Sequence, residues 1–353
     1  MPRPKDGNNS RKLFSEPEDY AAIFPFMSFY TAVSYRAFRR RYRRFHGAPP
    51  LLGFFHDFDD NIRFVPTMTA ASPFRQLALD WASWAHDCRH GRLLLQHKDS
   101  SDFIVWDPIT DAREVVPDPG LPSGIHEKLS CDSFCVVVVC SGGPFRVVFV
   151  GSDYCLGDTW AYIYSSETRA PTRVPHYEYV QSEQRAALVG DEAYFMLSTR
   201  NRILKLHLGE HHLSTFEPPS LDDEGLIRDY CALMGSEESG SLLLASIVKV
   251  SSSSLYMWSK KVRPVHHEGW VRCRRIQLES IIVPIDNSAS RLPIVIGFVE
   301  GVGDVIITTK SGIFVLEVKS ERVRKVFEGV SLGAFLPFTS FYTPGGDINP
   351  STT

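Results

Sequence analysis

From residue 50 onward the chain is a succession of short apolar runs, each closed off by Gly, Pro, Asp or Ser. They read "GRLLLQH", "FIVWD", "FCVVVVC", "FRVVFVG", "WAYIYS", "AYFMLS", "ILKLHL", "SLLLASIV", "SLYMWS", "VRCRRIQL", "IVIGFV", "DVIITT" and "IFVLEV". Runs of this length, rich in Val, Ile, Phe and Tyr and spaced by turn residues, predict an all-β sandwich, barrel or propeller. Upstream the period changes. Tyr35, Phe38, Tyr42 and Phe45 recur at intervals of three and four, one face of a helix, while Arg36, Arg39, Arg40, Arg41, Arg43 and Arg44 take the other. Gly47 and then Pro49–Pro50 stop it, so a basic amphipathic helix is predicted over 34–47. Residues 1–33 read as an irregular or disordered segment and 346–353 as a disordered tail. Loops are expected at 219–225, 251–254 and 283–291.

One stretch, "FIVWDPITDAREVVPDP" at 103–119, returns along the chain. Moved forward by 58 residues it falls on "AYIYSSETRAPTRVP", where Trp106 meets Tyr164, Thr110 meets Thr168, and Val116–Pro117 meets Val174–Pro175. Moved by 210 it falls on "IFVLEVKSERVRKVF", where Asp107 meets Glu317 and Thr110 meets Ser320. A looser copy is "ILKLHLGEHHLSTFEPP" at 203–219. The apolar strand, the Ser or Thr turn and the second strand persist, but the acid–arginine set of Asp107, Asp111 and Arg113 does not. Catalytic constellations occur once and packing devices recur, so the stretch is read as structural. A strand-built repeat points to a propeller, kelch-like, with about six four-stranded blades at ~50 residues each between 50 and 345. Asp107–Pro108 would open the hairpin turn, the carboxylate accepting a backbone N–H two residues on. Trp106 would pack between blades.

Composition narrows the function. A net charge of −3 argues against a protein that coats nucleic acid, leaving any basic role local to the arginine helix. The seven cysteines show no CxxC pair, which fits reduced thiols in the cytoplasm or nucleus. No run reaches the ~18 apolar residues of a membrane span. "HLGEH" at 207–211 has the letters of a zinc-peptidase motif, but Gly209 between two strands puts His207 and His211 on a hairpin rather than a helix. "DFDDN" at 57–61 lacks the glycine and closing glutamate of a calcium loop, and "GVG" at 301–303 lacks the third glycine of a phosphate loop. No metal site, cofactor site or catalytic set is expected. Trp81, Trp84, Trp160, Trp258 and Trp270 are read as blade packing. The rival reading is a propeller enzyme such as a glycoside hydrolase, using some of Asp80, Asp153, Asp158, Asp191 and Glu300 in the channel. A nuclear protein holding nucleic acid through its arginine helix is a third.

Three motifs carry a resemblance. "VWDPITDAREVVPDP" is similar to the Asn-Pro-x-Thr hairpin of the F-box-associated propeller of plant F-box proteins, with Asp107 at the asparagine. "CRHGRLLLQ" resembles that family's Ser-Cys-Asn-Gly-Leu-Leu strand, with His90 at the asparagine and Gly91 kept. "VGDEAYFML" resembles its Asn-Gly-x-x-Tyr-Trp strand, with Tyr194 and Phe195 at the aromatic pair. The stretch "SYRAFRRRYRRFHGAPPLLGFF" resembles the segment that directly follows the F-box in grass members. In the family the F-box docks on the Skp-type adaptor of a cullin ubiquitin ligase and the propeller holds the substrate. The resemblance therefore implies a non-enzymatic propeller that binds a protein partner through its loops. Residues 1–34 contain none of the F-box patterns, so adaptor docking is not expected of this chain.

Overall fold

The computed structural model describes most of residues 49–340. Outside the described residues lie 1–48, 59–60, 68–77, 80–81, 98–99, 101, 118–133, 141–143, 153–158, 169–170, 177–184, 198–201, 220–230, 237–238, 250–252, 263–268, 280–281, 283–292, 300, 330–334 and 341–353. The expected helix with Tyr35, Phe38, Tyr42 and Phe45 falls among these, as do the segment 1–33 and the tail. The described residues belong to one compact unit, Pro49–Thr353.

All regular structure among the described residues is β-strand, in six four-stranded antiparallel sheets. The first sheet takes Leu51–Phe58 (β1), Asn61–Pro66 (β2) and Ala78–Leu79 (β3). The second takes Ala82–Arg89 (β4), Arg92–His97 (β5), Phe103–Asp107 (β6) and Ala112–Val116 (β7). The third is Phe134–Cys140 (β8), Phe145–Ser152 (β9), Thr159–Ser165 (β10) and Pro171–His176 (β11). Ala187–Val189 (β12), Glu192–Leu197 (β13), Arg202–His207 (β14) and His212–Phe216 (β15) make the fourth. Cys231–Ser236 (β16), Ser241–Lys249 (β17), Ser253–Lys261 (β18) and Val271–Gln277 (β19) make the fifth. The sixth is Ile294–Phe298 (β20), Val305–Thr309 (β21), Gly312–Glu317 (β22) and Arg322–Glu328 (β23). The last strand, Phe335–Thr339 (β24), returns to the first sheet and pairs with β1, Phe54 opposite Pro337. Strands β24, β4 and β8 lie side by side, as do β12, β16 and β20, so the first strand of each sheet is innermost. This is a β-propeller.

The burial pattern explains the architecture. Period-2 alternation normally gives a strand one dry and one wet face. Here middle strands are dry on both: β5 is buried at Leu93, Leu94, Leu95 and Gln96, and β13 throughout. Alternate residues serve different neighbours. Leu93, Leu95, Ile104 and Trp106 join Phe55, Ile62, Leu336 and Phe338 of the first sheet. Leu94, Phe103 and Val105 face the other way, onto Val147, Phe149 and Trp160 of the third. The same division continues from third to fourth sheet, fourth to fifth and fifth to sixth. A sixth cluster, with Phe54 and Phe335 against Ile306, Ile313 and Val315, returns from the last sheet to the first. The packing thus closes on itself. Exposed positions are frequent on fourth strands, as β7, β19 and β23 show.

Near the centre the sheets approach closely. A Cβ on Gly235 of β16 would meet the Leu188 carbonyl oxygen of the fourth sheet at 1.6 Å, so no other residue fits there. One expectation needs correction. The serine run 251–254 is not all loop: Ser253 and Ser254 are buried in β18, where the Ser253 N–H donates to Glu279 Oε1 (2.9 Å) and its carbonyl accepts from Leu278 (2.9 Å). Serine is small enough for an inter-sheet space once its backbone is paired. Strands β1, β2 and β24 were not marked by alternation, because "LLGFFHDF" and "FLPFT" bury residues of both parities and carry no turn chemistry of their own.

Phe338 is fully buried, edge-on to Phe55 at 5.5 Å and Phe64 at 6.1 Å, where the C-terminal strand meets the first sheet. Phe338→Ala is expected to cost about 3–5 kcal/mol. Val115→Ala, on the 56% exposed Val115 of β7, should stay within about 0.5 kcal/mol. Denaturation midpoints of the two variants check the contrast.

Candidate functional site

Two features concentrate polar chemistry: the hairpin turns between third and fourth strands, and an ion cluster at the centre. The repeated stretch of sequence is the first of these. Its four copies are the hairpins β6–β7, β10–β11, β14–β15 and β22–β23. In the first, Asp107 Oδ1 accepts the N–H of Ile109 (3.0 Å) and Thr110 (3.3 Å), and Thr110 Oγ1 accepts that of Ala112 (3.4 Å). Pro108 is buried beneath the turn and Pro117 is exposed after the strand. Asp111 takes a left-handed φ of 54°, as do His211 (54°) and Glu321 (57°) at the same place in two other copies. There Asp111 accepts the indole N–H of buried Trp106 (2.9 Å) and pairs with Arg113 (3.1 Å). Those two donors, Trp106 first, hold its carboxyl below the usual range. Trp106 meets Phe55 of the first sheet edge-on at 6.1 Å. In the later copies His207 Nδ1 accepts from Glu210 (3.1 Å) and Glu317 from the Ser320 hydroxyl (2.7 Å). His207 and His211 thus lie at opposite ends of a tight turn.

The second feature joins sheets that are not neighbours. Asp87 and Arg89 sit on β4, innermost in the second sheet, and are 1% and 5% exposed. Arg185 and Ala186 immediately precede β12 in the fourth. Asp87 Oδ1 accepts from the Cys88 N–H (2.9 Å) and from Arg185 Nε (3.2 Å) and Nη2 (2.8 Å); Oδ2 accepts from Arg89 Nε (2.8 Å). Arg185 also donates to the Cys88 carbonyl (2.8 Å), and Arg89 Nη2 to the Ala186 carbonyl. The third sheet stands between these partners in the ring, so the bridge runs across the centre. A carboxylate offers about four lone-pair directions, and four donors meet this one. Three of these donors fall on Oδ1 and one on Oδ2, so the buried carboxylate is engaged by both arginines and by the backbone.

The family described as F-box protein AT5G49610-like, beta-propeller, matches residues 84–344. The chain belongs to this family. No curated protein matches its sequence. Among solved structures, TolB from Acinetobacter baumannii is similar at a TM-score of 0.50 and 12% identity, over 88% of this chain and 73% of that one. A chain of a nidogen/laminin complex gives 0.48 at 10% identity, over 81% and 98%. At such identities the TolB likeness concerns the fold alone.

The remaining residues that sequence singled out are dispersed over this F-box-family propeller. Gly91 (φ 77°) and His90 (φ 51°) form the two-residue turn between β4 and β5, a conformation that needs positive φ twice. Tyr164 is buried near Phe145 at 6.4 Å, Thr168 is exposed on the β10–β11 turn, and Pro175 pairs with Trp160. Phe195 is fully buried between the third and fourth sheets. Tyr194 faces the fifth, its hydroxyl donating to buried Glu192 (2.5 Å), which also pairs with Lys205 (2.6 Å). Of the channel carboxylates considered for an enzyme, Asp80, Asp153, Asp158 and Glu300 lie outside the described residues. Asp191 lies on the β12–β13 turn, bound to Arg146 (3.1 Å). Trp160 and Trp258 are buried and Trp270 is partly buried, but Trp84 is 39% exposed on β4, contrary to a packing role. Trp81 is not among the described residues.

Sequence reasoning missed Asp87, Arg89 and Arg185, which are separated by up to 98 residues and share no motif. It also missed His86, whose Nε2 lies 3.1 Å from Gln96 Oε1 and whose ring packs on Phe103 at 5.3 Å. Burial pushes the His86 pKa down to about 4, against smaller lifts from the Gln96 hydrogen bond and the Asp87 charge.

Two outcomes follow. Asp87→Ala should cost about 3–5 kcal/mol in chemical denaturation, because buried Arg89 loses its carboxylate. His86 stays neutral in the fold while the unfolded chain binds its proton near pH 6.5. Its contribution is therefore complete above that value and is lost as pH falls toward 4. Wild type should lose up to about 3 kcal/mol more than His86→Gln between pH 7 and 4, read from parallel denaturation curves.

Proposed function

We propose that this chain is a non-enzymatic protein-interaction propeller whose six sheets are its six blades, the part of an F-box-type ubiquitin-ligase subunit that recognises substrate. The observation that carries this reading is the family match over 84–344. The central cluster supports it: the buried carboxylate of Asp87 is taken up in hydrogen bonds to Arg89, Arg185 and the Cys88 N–H. The partner is a protein held by loops at one end of the propeller, in the cytoplasm or nucleus, with no cofactor.

Adaptor docking is a separate matter. Residues 1–34 carry no F-box pattern, so this 353-residue chain is expected to elute apart from a plant Skp-type adaptor in size-exclusion chromatography. Co-elution would show that a docking element exists without that pattern. In a panel of glycosides and esters the purified chain should turn over nothing. Turnover would replace the interaction reading with the enzyme one.

A further inference from the structure

The propeller's charge is concentrated on two neighbouring outer strands. Strand β19 carries Arg272, Arg274 and Arg275 and no acid; β23 carries Arg322, Arg324 and Lys325 against Glu328 alone. That is six cations to one carboxylate in a chain whose net charge is −3. The other outer strands do not share it. Strand β7 has one arginine and one glutamate, and β3 and β15 have neither Arg, Lys, Asp nor Glu. Five of the six cations are exposed. The two strands are tied together by Arg274 Nη2 and Glu321 Oε1 at 3.0 Å, which makes the basic edge continuous from the fifth sheet to the sixth.

A bulge arranges the first of these strands. The register of β19 shifts between Met257 and Trp258 on its partner, leaving Cys273 as the extra residue. Without the shift, residues 272 and 275 would point to opposite faces. With it, both guanidiniums lie over the Tyr256 ring, at 5.8 Å and 5.3 Å from its centroid. Stacked guanidiniums lose little further freedom on binding and keep their forked donors outward. Val271, 63% exposed, stands next to them as an apolar contact. A second bulge interrupts β23 opposite Ile313 and Phe314. Two irregular edges are poor templates for a fifth strand, so the side chains and not the backbone offer the binding groups.

We propose that the outer edges of the fifth and sixth sheets are a docking surface for an acidic, extended polypeptide segment of a partner protein. Along β23, Arg322 and Arg324 repeat at ~7 Å, the spacing of alternate side chains in an extended peptide. Val271, exposed beside the stacked guanidiniums, adds an apolar contact that suits a side chain of such a segment. This inference rests on the interaction reading only for the partner being a protein. Adaptor elution and substrate turnover leave its measurement untouched, so the two can fail separately.

The test uses the full chain and a fluorescein-labelled twelve-residue peptide alternating glutamate and threonine, read by anisotropy. A lysine–threonine peptide and a single-stranded oligonucleotide of equal charge are the comparison probes. The acidic peptide should bind, less tightly as salt rises. Arg322→Glu with Arg324→Glu, or Arg272→Glu with Arg275→Glu, should weaken it at least tenfold. Arg63→Glu, on exposed Arg63 of β2, should leave it unchanged. All three variants should keep the wild-type thermal midpoint within a few degrees, since these side chains lie on the surface. Absence of acidic-peptide binding, equal binding by the reversed variants, or tighter binding of the oligonucleotide would overturn the proposal.

Discussion

In a sheet held between two others, a middle strand such as β5 or β13 is buried on both sides and must satisfy two apolar neighbours with side chains of alternate parity. This double burial is the constraint on which the molecule depends. It puts Leu93 and Leu94, adjacent in sequence, into different clusters, and does the same with Tyr194 and Phe195. It favours apolar residues along the middle strands, whereas the outer strands β19 and β23 can hold Arg and Lys in number. It also brings the innermost strands so close that Gly235 has no alternative. At roughly 25 cal/mol per Å² of apolar surface, the contacts between sheets outweigh any single turn or ion pair.

Polar groups at the centre do a different task. Apolar clusters join each sheet only to its neighbours, and they are tolerant of small sliding because apolar contact is not directional. The Asp87–Arg89–Arg185 cluster joins the second sheet to the fourth with defined donors and acceptors. Buried ions of this kind add little net stability against their desolvation, yet breaking one is costly. Their effect here is to fix how two distant sheets stand across the middle. Glu192, between Lys205 and Tyr194, is a smaller instance within the fourth sheet.

What was legible in the sequence was local. The third-to-fourth-strand hairpins could be read because their chemistry lies within a few residues: Asp107 caps its own turn, and copies of that turn recur. Middle strands such as β5 and β13 stood out as continuous apolar runs. The first sheet did not, since "LLGFFHDF" owes its burial to β24 at the far end of the chain, a pairing with no local mark. Ser253 and Ser254 looked like loop because serine composition says nothing about a paired backbone. The central cluster was illegible for the same reason as the first sheet: Asp87 and Arg185 meet only once the ring is built. The basic edge was written openly in "VRCRRIQL" and "SERVRKVF", but its meaning needed the knowledge that both are outer strands of adjacent sheets.

The pairing of β24 with β1 has a consequence for synthesis. A ribosome adds roughly 5–20 residues per second, so tens of seconds separate the emergence of Leu51–Phe58 from that of Phe335–Thr339. Throughout that interval Phe54 and Phe55 have been made while the strand that covers them has not, and the edge of β1 awaits a partner. Intermediate sheets can pair as they appear, but the circle stays open at one seam until β24 has been made. The nascent chain is thus most exposed to misassociation late in its production, and at its earliest folded strand.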